Sequence, residues 1–177
     1  MKNVIFTILF TTFTSAFVYS QAGIYLYLPN ITTSAGTGVH IDESLLSSFQ
    51  FGTGVAVSQG PPPSAGQPSI SDITVSKGFD LASLRLQALL LKGTSSPYAE
   101  FRFYNSQSVL LFSVRSEGVF VSVASESSSD GCPSGCQDIA ESYSFAATSK
   151  VIQRNLAVTP NQVLTFDILT NKATLTQ

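Results

Sequence analysis

A chain of 177 residues with 44% hydrophobic and 11% charged residues has the length of one ordinary domain and enough apolar content for a single core. Its net charge of -2 argues against a nucleic-acid partner, because phosphate binding needs a basic stripe. Abundant Ser, Thr and Gly beside few charges argue against disorder and against a helical bundle, and suit a secreted β-protein with hydroxyl-rich outer faces.

Lys2 is followed by an uncharged run from Val4 to Tyr19, the pattern of a secretory leader. The run is too short and too interrupted by Thr and Ser for a membrane span, which needs about 20 mostly apolar residues. Cleavage is expected after Ser20, or at Ala22, which leaves 21–177 as one domain, secreted or periplasmic. The first strand is expected where Ile24, Leu26 and Leu28 alternate with Tyr25 and Tyr27, a period of two that buries one face. A second runs from about Leu45 to Val57, with Phe49 and Phe51 on one face and Gly52 and Gly54 marking a bulge or bend. Ser58 to Pro68, with the triplet Pro61, Pro62 and Pro63, reads as a loop without a hydrogen-bonding ladder. Ile70, Ile73 and Val75 mark a third strand ending near Lys77 and Gly78.

One helix is expected, over about 80–92. Asp80 is its N-cap, Leu81, Leu84, Ala88 and Leu91 form its spine at helical spacing, and Gly93 stops it. Leu86, Leu89 and Leu90 widen the apolar face beyond one packing stripe, making them candidate interface residues. Leu86, beside Arg85 and Gln87, is the leucine expected to face out. From Tyr98 the β pattern returns: Ala99, Phe101 and Phe103 oppose Glu100, Arg102 and Tyr104. Two strands follow at Val109 to Val114 and Gly118 to Val123. Ser125 to Gln137 reads as a long exposed loop, Tyr143 and Phe145 lie in a further strand, and Val163 to Leu169 forms the last.

Several of these segments carry short motifs in a telling order. Ser69-Ile-Ser-Asp-Ile-Thr-Val-Ser-Lys77 leads into Asp80-Leu-Ala-Ser83 and the Leu-rich helix, while Ile24-Tyr-Leu-Tyr-Leu28 and Ser48-Phe-Gln-Phe-Gly52 precede them. Glu141-Ser-Tyr-Ser-Phe-Ala146 and Phe166-Asp-Ile-Leu-Thr-Asn-Lys-Ala173 follow. In this order the pieces resemble the Hcp family, the tube proteins of the bacterial type VI secretion system. The resemblance implies a mainly β fold: an antiparallel β-barrel of the Hcp type with one helix at its side. It further implies head-to-tail rings, typically hexamers, able to stack into a tube whose lumen holds small effector proteins. Barrel closure removes sticky sheet edges, and a ring needs a heterologous interface that closes.

The candidate chemistry is thin. Cys132 and Cys136 could be a zinc half-site, a redox pair or a disulfide; with one Cys pair and an export leader, a small-loop disulfide is the reading. His40 is the only histidine and reads as a solvated loop residue. Asp42 and Glu43 are adjacent on an extended chain and point apart, so they too read as a solvated loop. Gly36-Thr-Gly38 and Gly52-Thr-Gly54 lack the lysine and helix start of a phosphate loop. Asn30-Ile-Thr32 fits the glycosylation pattern in a predicted turn. No catalytic, metal or cofactor-binding residue is expected. The functional expectation is an exported structural protein whose partner is itself; the rival is a monomeric secreted β-barrel binding or adhesion module.

Overall fold

The computed structural model describes residues 22–60, 62, 64–128 and 139–177. Along the chain run β1 (Gly23–Tyr27), a 3-10 turn (Gly38–His40), β2 (Ser44–Gln50), β3 (Thr53–Ser58), β4 (Ser64–Ile70), β5 (Ile73–Gly78) and α1 (Ser83–Lys92). Then come β6 (Ser96–Tyr104), β7 (Leu110–Ser128), β8 (Ile139–Ala147), β9 (Lys150–Asn155), β10 (Gln162–Asp167) and β11 (Lys172–Thr176). Nine strands pair antiparallel in the order β11-β10-β9-β7-β6-β1-β2-β5-β8, and a further pairing of β7 with β8 closes the last six into a barrel. The expected leader, residues 1–20, lies outside the described residues, as do Cys132 and Cys136.

Alternation sorts the barrel strands into two faces. Leu26, Leu46, Val75, Ala99, Phe101, Val114, Tyr143 and Phe145 fill the interior with Leu28, Val119 and Val121. Phe101 anchors an aromatic cluster with Phe49 at 5.2 Å and Phe145 at 5.6 Å between ring centroids. At about 1.5–3 kcal/mol per fully buried large apolar side chain, this set dominates the favourable side of folding.

Several strands differ from expectation. The Pro- and Gly-rich stretch is not ladder-free: β4 pairs with β3 in a separate two-stranded arm, with Pro68 opposite Val55. Each strand of such an arm keeps a free edge, where a proline's missing N–H breaks no ladder bond. The two strands expected either side of Glu117 are one strand, β7. Nor does the loop begin at Ser125, because Ser125 pairs with Ser142 and Ser128 with Ile139; the opposite strand supplies a ladder that outweighs the weak strand preference of serine. The expected tail after Leu169 forms β11, and β9 precedes β10 in the same sheet.

β7 holds this topology together because its second edge serves two partners in succession. Residues 112–116 pair with β9 and residues 119–128 with β8. Gly118 sits at the changeover with φ +63, and its carbonyl accepts the Thr148 N–H at 3.0 Å and the Thr148 hydroxyl at 2.7 Å. A Cβ added there would lie 2.5 Å from Thr148 Oγ1. Gly118→Ala therefore combines left-handed backbone strain of roughly 1–2 kcal/mol with a collision, and thermal unfolding should show a lowered midpoint.

α1 begins at Ser83, three residues after Asp80, yet Asp80 still shapes its start. Asp80 Oδ1 accepts the Ala82 N–H at 2.8 Å while Ser83 Oγ accepts the Asp80 N–H at 2.9 Å. The helix stops at Gly93 as expected: φ is +59, Gly93 N–H donates to Leu90 O and Thr94 N–H to Leu89 O, the paired bonds of a Schellman ending. Its phase is the correction. Ala82 and Leu86 are 0% exposed and Leu89 and Leu90 pack partly against the core, whereas Leu81, Leu84 and Leu91 of the expected spine are 63%, 66% and 85% exposed. Leu86 thus faces in, because the bonds made by Ser83 turn the helix to bring Ala82 and Leu86 onto the barrel.

Candidate assembly surface and polar networks

Three of the sequence motifs converge on one buried polar network. Lys77 from β5, 1% exposed, donates to Glu141 Oε2 on β8 at 2.8 Å, to Ser83 Oγ on α1 at 2.9 Å and to Gly78 O at 2.7 Å. Asp80 Oδ1 lies 2.9 Å from the same ammonium. Ser83 donates to Glu141 Oε2 at 2.6 Å, and the Tyr143 hydroxyl donates to Glu141 Oε1 at 3.1 Å. Burial first, then the adjacent Glu141 charge, pushes the Tyr143 phenol well above its usual range. A desolvated ion pair is tolerable only when its remaining bonds are satisfied, and here helix start, β5 and β8 satisfy one another. Ser44 of β2 joins by bonding to Asp80 Oδ2. The network's task is to dock α1 on the barrel.

A second network lies on the outer face and overturns two expectations. His40 is not a solvated loop residue: it is 7% exposed, stacked on Tyr25 at 4.1 Å and packed against Tyr104 at 4.5 Å. Glu43, 5% exposed, is equally enclosed. Its Oε2 lies 2.5 Å from His40 Nδ1, and its Oε1 accepts from Arg102 at 2.7 Å and from the Tyr104 hydroxyl at 3.0 Å. Burial and then Glu43 push the Tyr104 phenol up to about 12. Arg102 also pairs with Glu100 at 2.6 Å and lies over the Tyr27 ring at 4.5 Å. Asp42 stays exposed, its Oδ1 accepting the Ser34 N–H at 3.0 Å. The outward row Glu100, Arg102, Tyr104 was the sequence signal for this site: three polar side chains on one sheet face need a partner, and the β1–β2 connection supplies it. His40 Nε2 reaches Ser108 Oγ, in the β6–β7 turn, at 3.3 Å.

Several apolar side chains remain uncovered. Leu84 and Leu91 project from α1, Phe79 and Leu81 precede it, and β3 and β4 are exposed along nearly their whole length. Between that arm and the β9–β10 sheet lies a cavity of about 560 Å³ lined by Val55, Pro68, Ile70, Val151, Leu164 and Phe166. Asn30 is exposed at φ +62, while the Thr32 hydroxyl is buried and bonds to the Leu28 N–H and carbonyl. Among the described residues no group of three His, Cys, Asp or Glu is placed to hold a metal, and no helix is long and apolar enough to cross a membrane.

The family profile described as "Type VI secretion system effector, Hcp" matches residues 25–151. The chain belongs to the Hcp family. Solved Hcp structures share its fold. A structure described as that of a type six secretion system protein superposes with a TM-score of 0.75 at 18% identity, covering 86% of this chain and 99% of the other. Hcp1 from Salmonella typhimurium gives 0.72 at 18% identity, covering 87% and 99%. An E. coli Hcp1 gives 0.68 at 16% identity, covering 82% and 99%. A search of curated protein sequences found no match. The Lys77–Asp80–Ser83–Glu141 network lies inside the stretch matched by the Hcp profile.

Proposed function

We propose that this Hcp chain is an exported structural protein that assembles with copies of itself into a ring, a hexamer in keeping with the family, and that stacked rings carry small effector proteins in a type VI secretion-like system. The observation that carries the reading is the outward face of α1. Leu84 and Leu91 are 66% and 85% exposed on a helix whose other side is fastened into the core, with Leu81 just before it 63% exposed, and apolar side chains grouped in this way mark a contact surface. A closing ring needs a second, different patch on each subunit. The free edge of β11 at the end of the nine-stranded sheet is the second patch, since an unpaired strand edge invites a partner. Leader cleavage after Ser20 and a Cys132–Cys136 disulfide belong to the same reading.

Light scattering of the mature protein at micromolar concentration is expected to give a mass several times that of one subunit, with ring-shaped particles in negative stain. Leu84→Glu, which places a charge on the exposed face, should leave a folded monomer. A wild-type monomer would replace the ring with a secreted binding module.

A further inference from the structure

The outer-face network has a chemical property that assembly does not use. Glu43, His40 and Ser108 are aligned carboxylate, imidazole and hydroxyl: Oε2 to Nδ1 is 2.5 Å and Nε2 to Oγ is 3.3 Å. In the neutral tautomer that donates Nδ1–H to Glu43, Nε2 presents its lone pair to the Ser108 hydroxyl. That is the relation by which an imidazole activates a serine. The imidazole is held in place by Tyr25 and Tyr104, and Glu43 by Arg102 and the Tyr104 hydroxyl. Ser108 occupies a left-handed position at φ +55, where glycine is the default in a hairpin turn. Here a side chain is kept despite that preference, and the side chain meets His40.

We propose that Ser108 is an activated nucleophile that accepts acyl or phosphonyl groups from small activated esters and their fluorophosphonate analogues. Ser108 Oγ bonds to the carbonyl carbon as its proton passes to His40 Nε2, and Glu43 stabilises the resulting imidazolium. The carbon–oxygen bond to the leaving alcohol then breaks, and His40 returns the proton to that oxygen, leaving an ester on Ser108. With a fluorophosphonate, the phosphorus–fluorine bond breaks and fluoride leaves. The turn itself narrows the substrate class. The amides of Gln107 and Val109 donate to Asn105 Oδ1, each at 2.9 Å, and that of Ser108 donates to Asn105 O at 3.0 Å. These three amides are thus committed and cannot stabilise a developing oxyanion, a contribution on the order of 10²–10³ in rate per donor. The leaving group must therefore be a good one, which favours aryl esters over amides.

The test treats the native full chain with an alkyl fluorophosphonate and maps adducts by tandem mass spectrometry. Ser108, half-buried beside His40, is expected to react on the order of 10²-fold or more faster than the chain's exposed serines, the usual return of a positioned general base. Ser108→Gly, which suits the local backbone and retains the fold, should lose that adduct, and His40→Gln should reduce labelling to the background rate of the other serines. Wild-type labelling of Ser108 no faster than that of those serines overturns the proposal by itself, whatever the variants do. Undiminished labelling in a folded His40→Gln protein also overturns it, because the imidazole would then play no part.

Discussion

Lys77→Met should lower the unfolding free energy by about 3–5 kcal/mol, the cost of stranding a buried charge. Glu141, 1% exposed, would keep only the hydroxyls of Ser83 and Tyr143 as partners. Asp80 would suffer less, because its side chain is 19% exposed and reaches water. Removing both charges should be gentler than removing one. Lys77→Met combined with Glu141→Leu is expected to recover most of the loss, since well-packed apolar replacements of a buried pair are often neutral. Urea unfolding of the single and double variants, read as midpoint and slope, checks this. A single variant within 1 kcal/mol of wild type (about a fivefold change in the folding equilibrium) would mean that water reaches Glu141.

The second large effect separates two leucines only two positions apart. Leu86→Ala should cost about 2–5 kcal/mol, the range for emptying a packed site, and Leu86→Glu should not fold, because a carboxylate there meets the apolar core cluster. Leu84→Glu should stay within about 0.5 kcal/mol of wild type as an isolated subunit, as exposed substitutions do. Denaturation of the three variants under monomeric conditions settles which side of α1 is core.

That pair also shows where sequence reading failed. With Leu at 84, 86, 89, 90 and 91, nearly every rotation of the helix offers an apolar stripe, so periodicity alone does not fix the phase. The phase comes from Ser83, whose bonds to Lys77 and Glu141 join residues far apart in the chain. β1, β6 and β8 were legible because apolar residues alternate along them, as in Ile24-Tyr-Leu-Tyr-Leu28, whereas β7 was read as two strands and β2 was run on into β3. The β3–β4 arm was hidden by proline, and β9 and β11 by weak alternation; in β9 only Val151 is fully buried. The His40 site left one local sign, the outward row Glu100, Arg102 and Tyr104, and nothing nearby in the chain pointed to His40 and Glu43 as its partners. Its members come from the β1–β2 connection, β6 and the β6–β7 turn, and the pairing of β1 with β6 brings them together.

The double use of β7 has a consequence for how the chain opens. A strand with a free edge can peel away alone, but β7 lends one edge to β6 and divides the other between β8 and β9, so β7 itself leaves the sheet only when several partners leave together. The β7 amide hydrogens bonded to β6 and β8 should thus exchange through global unfolding, while β11 and the β3–β4 arm exchange through local fraying. Gly118 is then the joint between two cooperative units, the closed barrel on one side and the β9–β10–β11 extension on the other. Loosening that joint would let the extension detach while the barrel stays shut.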